Sequence, residues 1–389
     1  MTRILSGLPA AARELLLATD WESLQHAYGS AEDIPVCLCS LLDEDPEVRS
    51  VASAALDMDV LHQGSLYTVT APAALFVAAI LDHPMGLAEH EGHFPWDGGP
   101  PRNLRAALLV WLGQVAESAA HGEDLVRDRT DWQWEPWHDE TRREHDPDEL
   151  AALHACREIR PALYDAVEPF LSSPDPHVRE AALGAAVPLL SAPGLADRVP
   201  RAAVLLRARL GAVAGRRERA GAARALGVWG MDTSDLLADS DQAVRVCAAL
   251  GPANVDRTRA LAVLLDALRD PRTTDGWFPE PLPGLDGWFR FTVLRSALAL
   301  AETFEEVAPV AVAIVAAGGT SVTDHERGPI LLRAFAGGYD PTHPFTPAQH
   351  DLLRAFVDTD RATDGIAGNV LWFRAAGLPE NREGIAALL

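Results

Sequence analysis

Lysine is absent from this chain: all 33 basic residues among its 389 are arginine, set against 56 aspartates and glutamates. Arginine-only usage beside abundant alanine, glycine and proline is the pattern of a GC-rich bacterial coding bias rather than a demand for guanidinium chemistry. The formal net charge of −23 opposes broad contact with nucleic-acid phosphates or anionic membranes, and it steers basic proteins or peptides inwards. Aromatic residues are scarce too, at 6% against 48% hydrophobic residues. That balance belongs to Ala- and Leu-rich helices, so sheet is expected to be minor or absent. The four cysteines, Cys37, Cys39, Cys156 and Cys247, are too few to staple a chain of this length, and Cys37 and Cys39 lie too close to make a zinc knuckle unaided. They are expected to be buried, reduced thiols. The longest apolar run, Val307 to Gly319, contains Pro309 and falls short of the roughly 20 residues that span a bilayer, which excludes a transmembrane helix. Met1-Thr2-Arg3 leads into a charged amphipathic helix rather than a secretion signal, so a cytoplasmic location is expected.

Catalytic signatures are missing as well. Gly211-Ala212-Val213-Ala214-Gly215-Arg216-Arg217 lacks the Lys-Ser/Thr ending of a phosphate loop, and there is no GxSxG elbow. His83, Glu89, His90, Glu91 and His93 lie close together, but Gly92 and Pro95 break the helix that would align His90 with His93, and no HExxH spacing is present. Neither a metal nor a cofactor is expected, and no catalytic residue can be named.

What the chain does contain is a recurring phrase: Asp45-Pro46-Glu47-Val48-Arg49, Asp175-Pro176-His177-Val178-Arg179 and Asp241-Gln242-Ala243-Val244-Arg245. Aspartate suits an N-cap and proline the first helical position, so each copy marks a helix start. Small residues follow at helical spacing: Ala52 and Ala55, Ala182 and Ala185, Ala248 and Gly251. They would let neighbouring helices approach closely. Each arginine is placed to reach back to an aspartate of its own or the preceding repeat.

The phrase resembles the second helix of HEAT repeats, relatives of the armadillo repeats. Weaker echoes stand at Leu104-Arg105-Ala106-Ala107-Leu108, Arg219-Ala220-Gly221-Ala222-Ala223, Leu294-Arg295-Ser296-Ala297-Leu298 and Leu331-Leu332-Arg333-Ala334. The resemblance implies an all-α solenoid of irregular HEAT-like repeats spanning 1–389 as a single unit, and it carries no catalytic residues with it. The clear copies do not share one period, so insertions interrupt the array. Gly- and Pro-rich breaks place them at about 83–102, 121–148 and 271–286.

Long insertions in repeat arrays are the natural binding elements. The second, from His121 to Glu149, holds eleven acidic and four basic residues, with Trp132, Trp134, Trp137 and His138 interleaved; the third carries Trp277 and Phe278. Aromatic anchors among carboxylates suit a basic protein or peptide through cation–π contacts and ion pairs. Folding of the tryptophans back onto the array's apolar flank is the alternative. One local exception to the acidity lies between Asp197 and Arg224, where eight arginines, Arg201, Arg209, Arg216 and Arg217 among them, face two carboxylates. Such a stripe could hold anions, and the resemblance extends to HEAT-like DNA glycosylases with a basic concave face, but pairing with acidic neighbours or with an acidic partner is the expected arrangement. The expected function is a non-enzymatic scaffold, adaptor, regulator or immunity-type protein; a nucleic-acid or small-substrate enzyme using the Arg stripe is the alternative.

Overall fold

The computed structural model describes residues 7–90, 102–126, 147–210, 215–283, 285, 287–317, 324–359 and 367–389. The all-α expectation holds for them. The only strands among the described residues are two short antiparallel pairs, β1 (Gln25–His26) with β2 (Gly29–Ser30) and β3 (Glu89–His90) with β4 (Arg102–Asn103). No helix among them is long and apolar enough to cross a membrane.

The described residues fall into two compact units. The first contains α1 (Ala10–Ala18), α2 (Ile34–Ser40), α3 (Pro46–Ala55), α4 (Thr70–Ile80), α5 (Leu104–Val126), α6 (Pro147–Glu158), α7 (Arg160–Val167), α8 (Pro176–Leu190) and α9 (Val199–Leu210). Helix α4 packs between α1 and α7, and α5 lies along α8. That second approach is close because a Cβ at Gly113 would stand 3.1 Å from the Ala185 Cα. Helix α5 continues past the expected end near Ala120 to Val126, and α6 begins at Pro147.

The second unit contains α10 (Arg216–Val228), α11 (Gln242–Ala249), α12 (Arg257–Leu268), α13 (Pro271–Asp275), α14 (Phe289–Leu300), α15 (Phe304–Ala317), α16 (Asp324–Ala334), α17 (Pro347–Asp358), α18 (Ala367–Ala375) and α19 (Arg382–Ala386). Successive helices pack at its start, α10 on α11 and α11 on α12, and further along helices pack on the next but one: α14 on α12 and α16, α16 on α18, α15 on α17, and α17 on α19. The third expected break is partly helical, because Asp270 caps α13 by accepting the Thr273 amide at 3.1 Å.

All three copies of the phrase start helices as the sequence implies. Asp45 accepts the Glu47 amide at 2.9 Å, Asp175 the His177 amide at 2.9 Å, and Asp241 the Ala243 amide at 2.9 Å. The arginines differ from expectation, since their Nη1 groups engage main-chain carbonyls five and six residues back. Arg49 donates to Asp43 and Glu44, Arg179 to Ser173 and Pro174, and Arg245 to Asp239 and Ser240, at 2.8–3.2 Å. A guanidinium can serve two carbonyls at once, and here it stitches the preceding turn to the new helix.

A further member of the phrase escaped the sequence reading. The residue two before each cap, Asp43, Ser173 or Asp239, accepts the cap's own amide through its side chain. The caps also bind sideways: Asp175 accepts Asn103 Nδ2 at 2.8 Å and Asp241 accepts Arg216 Nε at 2.9 Å. Asp175→Ala is therefore expected to cost about 1–2 kcal/mol, more than Asp45→Ala, with Asp175→Asn in between, because its carboxamide oxygen can keep the cap while its NH2 then faces the donating Asn103 Nδ2. Urea midpoints of the three variants check this ordering, and equal loss at both positions would show that the Asn103 bond contributes nothing.

Candidate functional site

Trp132, Trp134, Trp137 and His138 lie outside the described residues, as do Glu91 and His93. Of the first insertion, Pro84–Leu87 forms a short 3-10 turn, and His90 is buried within the β3–β4 pair. No cluster of His, Cys, Asp or Glu among the described residues could hold a metal ion.

The third insertion is the described stretch where aromatic, charged and proline residues meet. Its two anticipated aromatics divide in role. Phe278 is buried, its ring 5.1 Å from that of Phe289 in an edge-on arrangement, so it serves the core. Trp277 is half-buried and lies 6.3 Å from the same Phe289 ring. Sequence reasoning cut the insertion at Asp286 and so missed Trp288, which sits just before α14 and is 56% exposed. The signal was present, since Trp288 closes the same Trp- and Pro-rich stretch.

Two arginines hold parts of this stretch. Arg217, from the first turn of α10, donates to the carbonyls of Glu280 at 2.5 Å and Pro281 at 2.8 Å. Arg290, in the first turn of α14, stacks its guanidinium over the Trp288 ring at 5.2 Å and over Phe291 at 5.0 Å. That guanidinium bonds Asp275 from α13 and donates to Glu326 from α16 at 2.8 Å. Burial disfavours its charge, but the hydrogen bonds and charges of Glu326 and Asp275 outweigh burial and raise its pKa. The Trp288 ring thus lies against a guanidinium that is itself held in a buried ionic cluster.

The Arg-rich stretch does not present eight free charges. Its members divide between the two units, with α9 and the residues just before it in the first and α10 in the second. In the first unit Arg198 pairs with Asp165 at 3.0 Å, and Arg201, though exposed, pairs with Glu168 at 3.2 Å; Arg209 is half-buried at the end of α9. In the second, Arg216 pairs with Asp241, Arg219 with Asp239, and Arg217 is held by main-chain carbonyls. The Asp241 carboxyl is pulled two ways: burial raises its pKa, while the bonds from Arg216 and the Ala243 amide prevail and lower it. It is therefore a firm carboxylate partner for Arg216.

The thiols lack nucleophilic character. Cys156 and Cys247 are buried as expected, Cys37 and Cys39 are half-buried, and burial is the leading cause that pushes Cys37, Cys156 and Cys247 up to about 12. Thiolate, the reactive form, is scarce at neutral pH under those conditions.

No known family's sequence profile matches the chain, and no curated protein is similar to it. Among solved structures, the crystal structure of an engineered protein aligns over 89% of this chain and 92% of its own, at 15% identity and a TM-score of 0.29, a likeness too slight to carry any conclusion about fold or function.

Proposed function

We propose that the chain is a non-enzymatic HEAT-like α-solenoid, acting in the bacterial cytoplasm as an adaptor, regulator or immunity-type protein that binds a basic protein or peptide. The fold reading rests on the repeated cap and clamp in three copies and on helices that pack on the next but one. The function reading is carried by one observation: Trp288 stands exposed with its ring against the Arg290 guanidinium, in a chain with a net charge of −23. A rigid aromatic surface loses little entropy on binding, and the chain's overall negative charge favours cationic partners. Trp277, whose ring lies 6.3 Å from that of Phe289, and Trp132, Trp134, Trp137 and His138 of the second insertion are assigned the same anchoring role.

The DNA glycosylase alternative needs unneutralised arginines, and the pairing of Arg198, Arg201, Arg216 and Arg219 with carboxylates weighs against it. Titration with a fluorescent alternating Arg–Gly peptide tests the proposal. Trp277→Ala/Trp288→Ala and Trp132→Ala/Trp134→Ala/Trp137→Ala are each expected to weaken binding about tenfold with helicity unchanged. Native affinity in both variants, or retention of duplex DNA by the native chain at low salt, overturns the reading.

A further inference from the structure

The three copies of the recurring phrase differ in how they bury the same positions. Three residues after the cap, Val178 and Val244 are buried at 1% and 0%, whereas Val48 in the first copy is 38% exposed. Six residues after the cap, Ala181 and Cys247 are buried, whereas the larger Val51 is 61% exposed. The first copy therefore turns outward a helix stripe that the other two use for packing, and it widens that stripe rather than shrinking it.

Neighbouring elements extend the stripe. The π-helical turn Leu56–Val60 follows directly from α3 and carries Met58, which is exposed. Helix α2 lies alongside α3, joined where Cys37 Sγ meets the Ala52 carbonyl at 3.3 Å, and the adjacent Val36 is 66% exposed. Val48, Val51 and Met58 are spaced along α3 and its extension at one face of a helix, and Val36 on the neighbouring α2 adds a fourth exposed apolar side chain.

Charge decides what this strip accepts. From Glu32 to Asp59 there are eight carboxylates, Glu32, Asp33, Asp43, Glu44, Asp45, Glu47, Asp57 and Asp59, and one basic residue, Arg49. Arg49 is buried, its guanidinium turned inward to the carbonyls of Asp43, Glu44 and, across at β3, Glu89. Asp43, Glu44, Glu47 and Asp57 are exposed around the strip. A second copy of the chain would bring carboxylates against carboxylates, because a two-fold interface sets like surfaces face to face.

We propose that the α2–α3 face is a docking site for a basic amphipathic helix of a partner protein, whose apolar stripe covers Val36, Val48 and Val51 while its Lys or Arg residues meet the surrounding carboxylates. This inference rests on the protein-binding reading above but uses a surface of its own, in the first unit, and needs none of the tryptophans. Helix-in-groove recognition reads apolar anchors at helical spacing, which is what a leucine–lysine helix supplies.

The probe is a synthetic 15-residue amphipathic Leu–Lys helix, compared with a peptide of the same lysines in which serine replaces every leucine. Fluorescence anisotropy at about 0.15 M salt keeps long-range attraction screened. The native chain is expected to bind the Leu–Lys helix at least tenfold tighter than the Ser–Lys peptide, and Val36→Ser/Val51→Ser is expected to remove most of that difference. Both substituted positions are exposed, so circular dichroism should be unchanged; hydrogen exchange should show α2 and α3 protected by the peptide in the native chain only. Equal affinity for the two peptides, or a Leu–Lys affinity that the double variant leaves intact, overturns the proposal. So does a native dimer that the double variant dissolves, because a second copy would then be the occupant. Trp277→Ala/Trp288→Ala should bind the Leu–Lys helix as the native chain does, so loss in that variant assigns the binding to the tryptophan ledge and refutes a site on α2–α3.

Discussion

Replacing Arg290 by methionine is expected to lower stability by about 3–5 kcal/mol, the loss typical of breaking a buried ion pair from one side. The guanidinium is 13% exposed, and its partners Asp275 and Glu326 are 5% and 2% exposed. It is the cation between two carboxylates brought by α13 and α16, and the Asp275 carboxylate also accepts the Arg290 amide at 3.0 Å. Methionine keeps much of the side-chain volume and removes the charge, leaving two desolvated carboxylates without the guanidinium that joined them. Neutralising both should restore most of the loss, so Arg290→Met/Asp275→Asn/Glu326→Gln is expected to unfold much closer to native than Arg290→Met alone. Urea denaturation followed by far-ultraviolet circular dichroism measures both. A loss below about 1 kcal/mol in the single variant would place the cluster with hydrated surface pairs instead. The variant also loses the contact over Trp288, so Arg–Gly peptide affinity should fall with stability.

The cluster also marks a boundary of what the sequence discloses. Helix starts were legible because an N-cap is a local event: Asp45, Asp175 and Asp241 each bond an amide two residues away. The residues at Asp43, Ser173 and Asp239 were equally local, but two residue types share one role there, which hides the repetition. Arg290, Asp275 and Glu326 are 15 and 36 residues apart in pairs and meet only through packing of three helices. Nothing in their spacing announces it. For the Arg stripe, pairing with carboxylates was expected but the partners were not legible, since a run of arginines shows its charge while Asp165, Glu168, Asp239 and Asp241, which pair with it, stand elsewhere in the chain. Burial of the repeated valine was the least legible property. Val48, Val178 and Val244 occupy one place in one phrase, yet whether a helix covers them depends on the neighbours rather than on the phrase.

A tryptophan seated on a glycine gives the second large expectation. Gly328 of α16 faces Trp372 of α18 so closely that a Cβ built on the glycine would lie 2.5 Å from Trp372 Cε2, 2.6 Å from Cδ2 and 2.7 Å from Cζ2. Trp372 is 2% exposed, so its ring is hemmed in on the other sides as well. Trp372→Ala should cost about 3–5 kcal/mol through the cavity it leaves. Gly328→Ala sets two effects against each other. Alanine's usual helix preference over glycine, about 1 kcal/mol, is reduced here because Pro329 follows and crowds a Cβ on the residue before it, while a methyl forced into a packed indole costs about 1–3 kcal/mol. The indole is rigid and cannot swing its end aside as a long aliphatic chain would, so the clash should win and the single variant should be less stable than native. In the double variant the alanine methyl enters space the indole has vacated and the clash with the ring disappears. The two losses should therefore fall short of additive by about 1 kcal/mol or more, read from urea denaturation of the four chains in a double-mutant cycle. Strict additivity would mean that α16 and α18 approach through other residues and that the glycine is incidental to their packing.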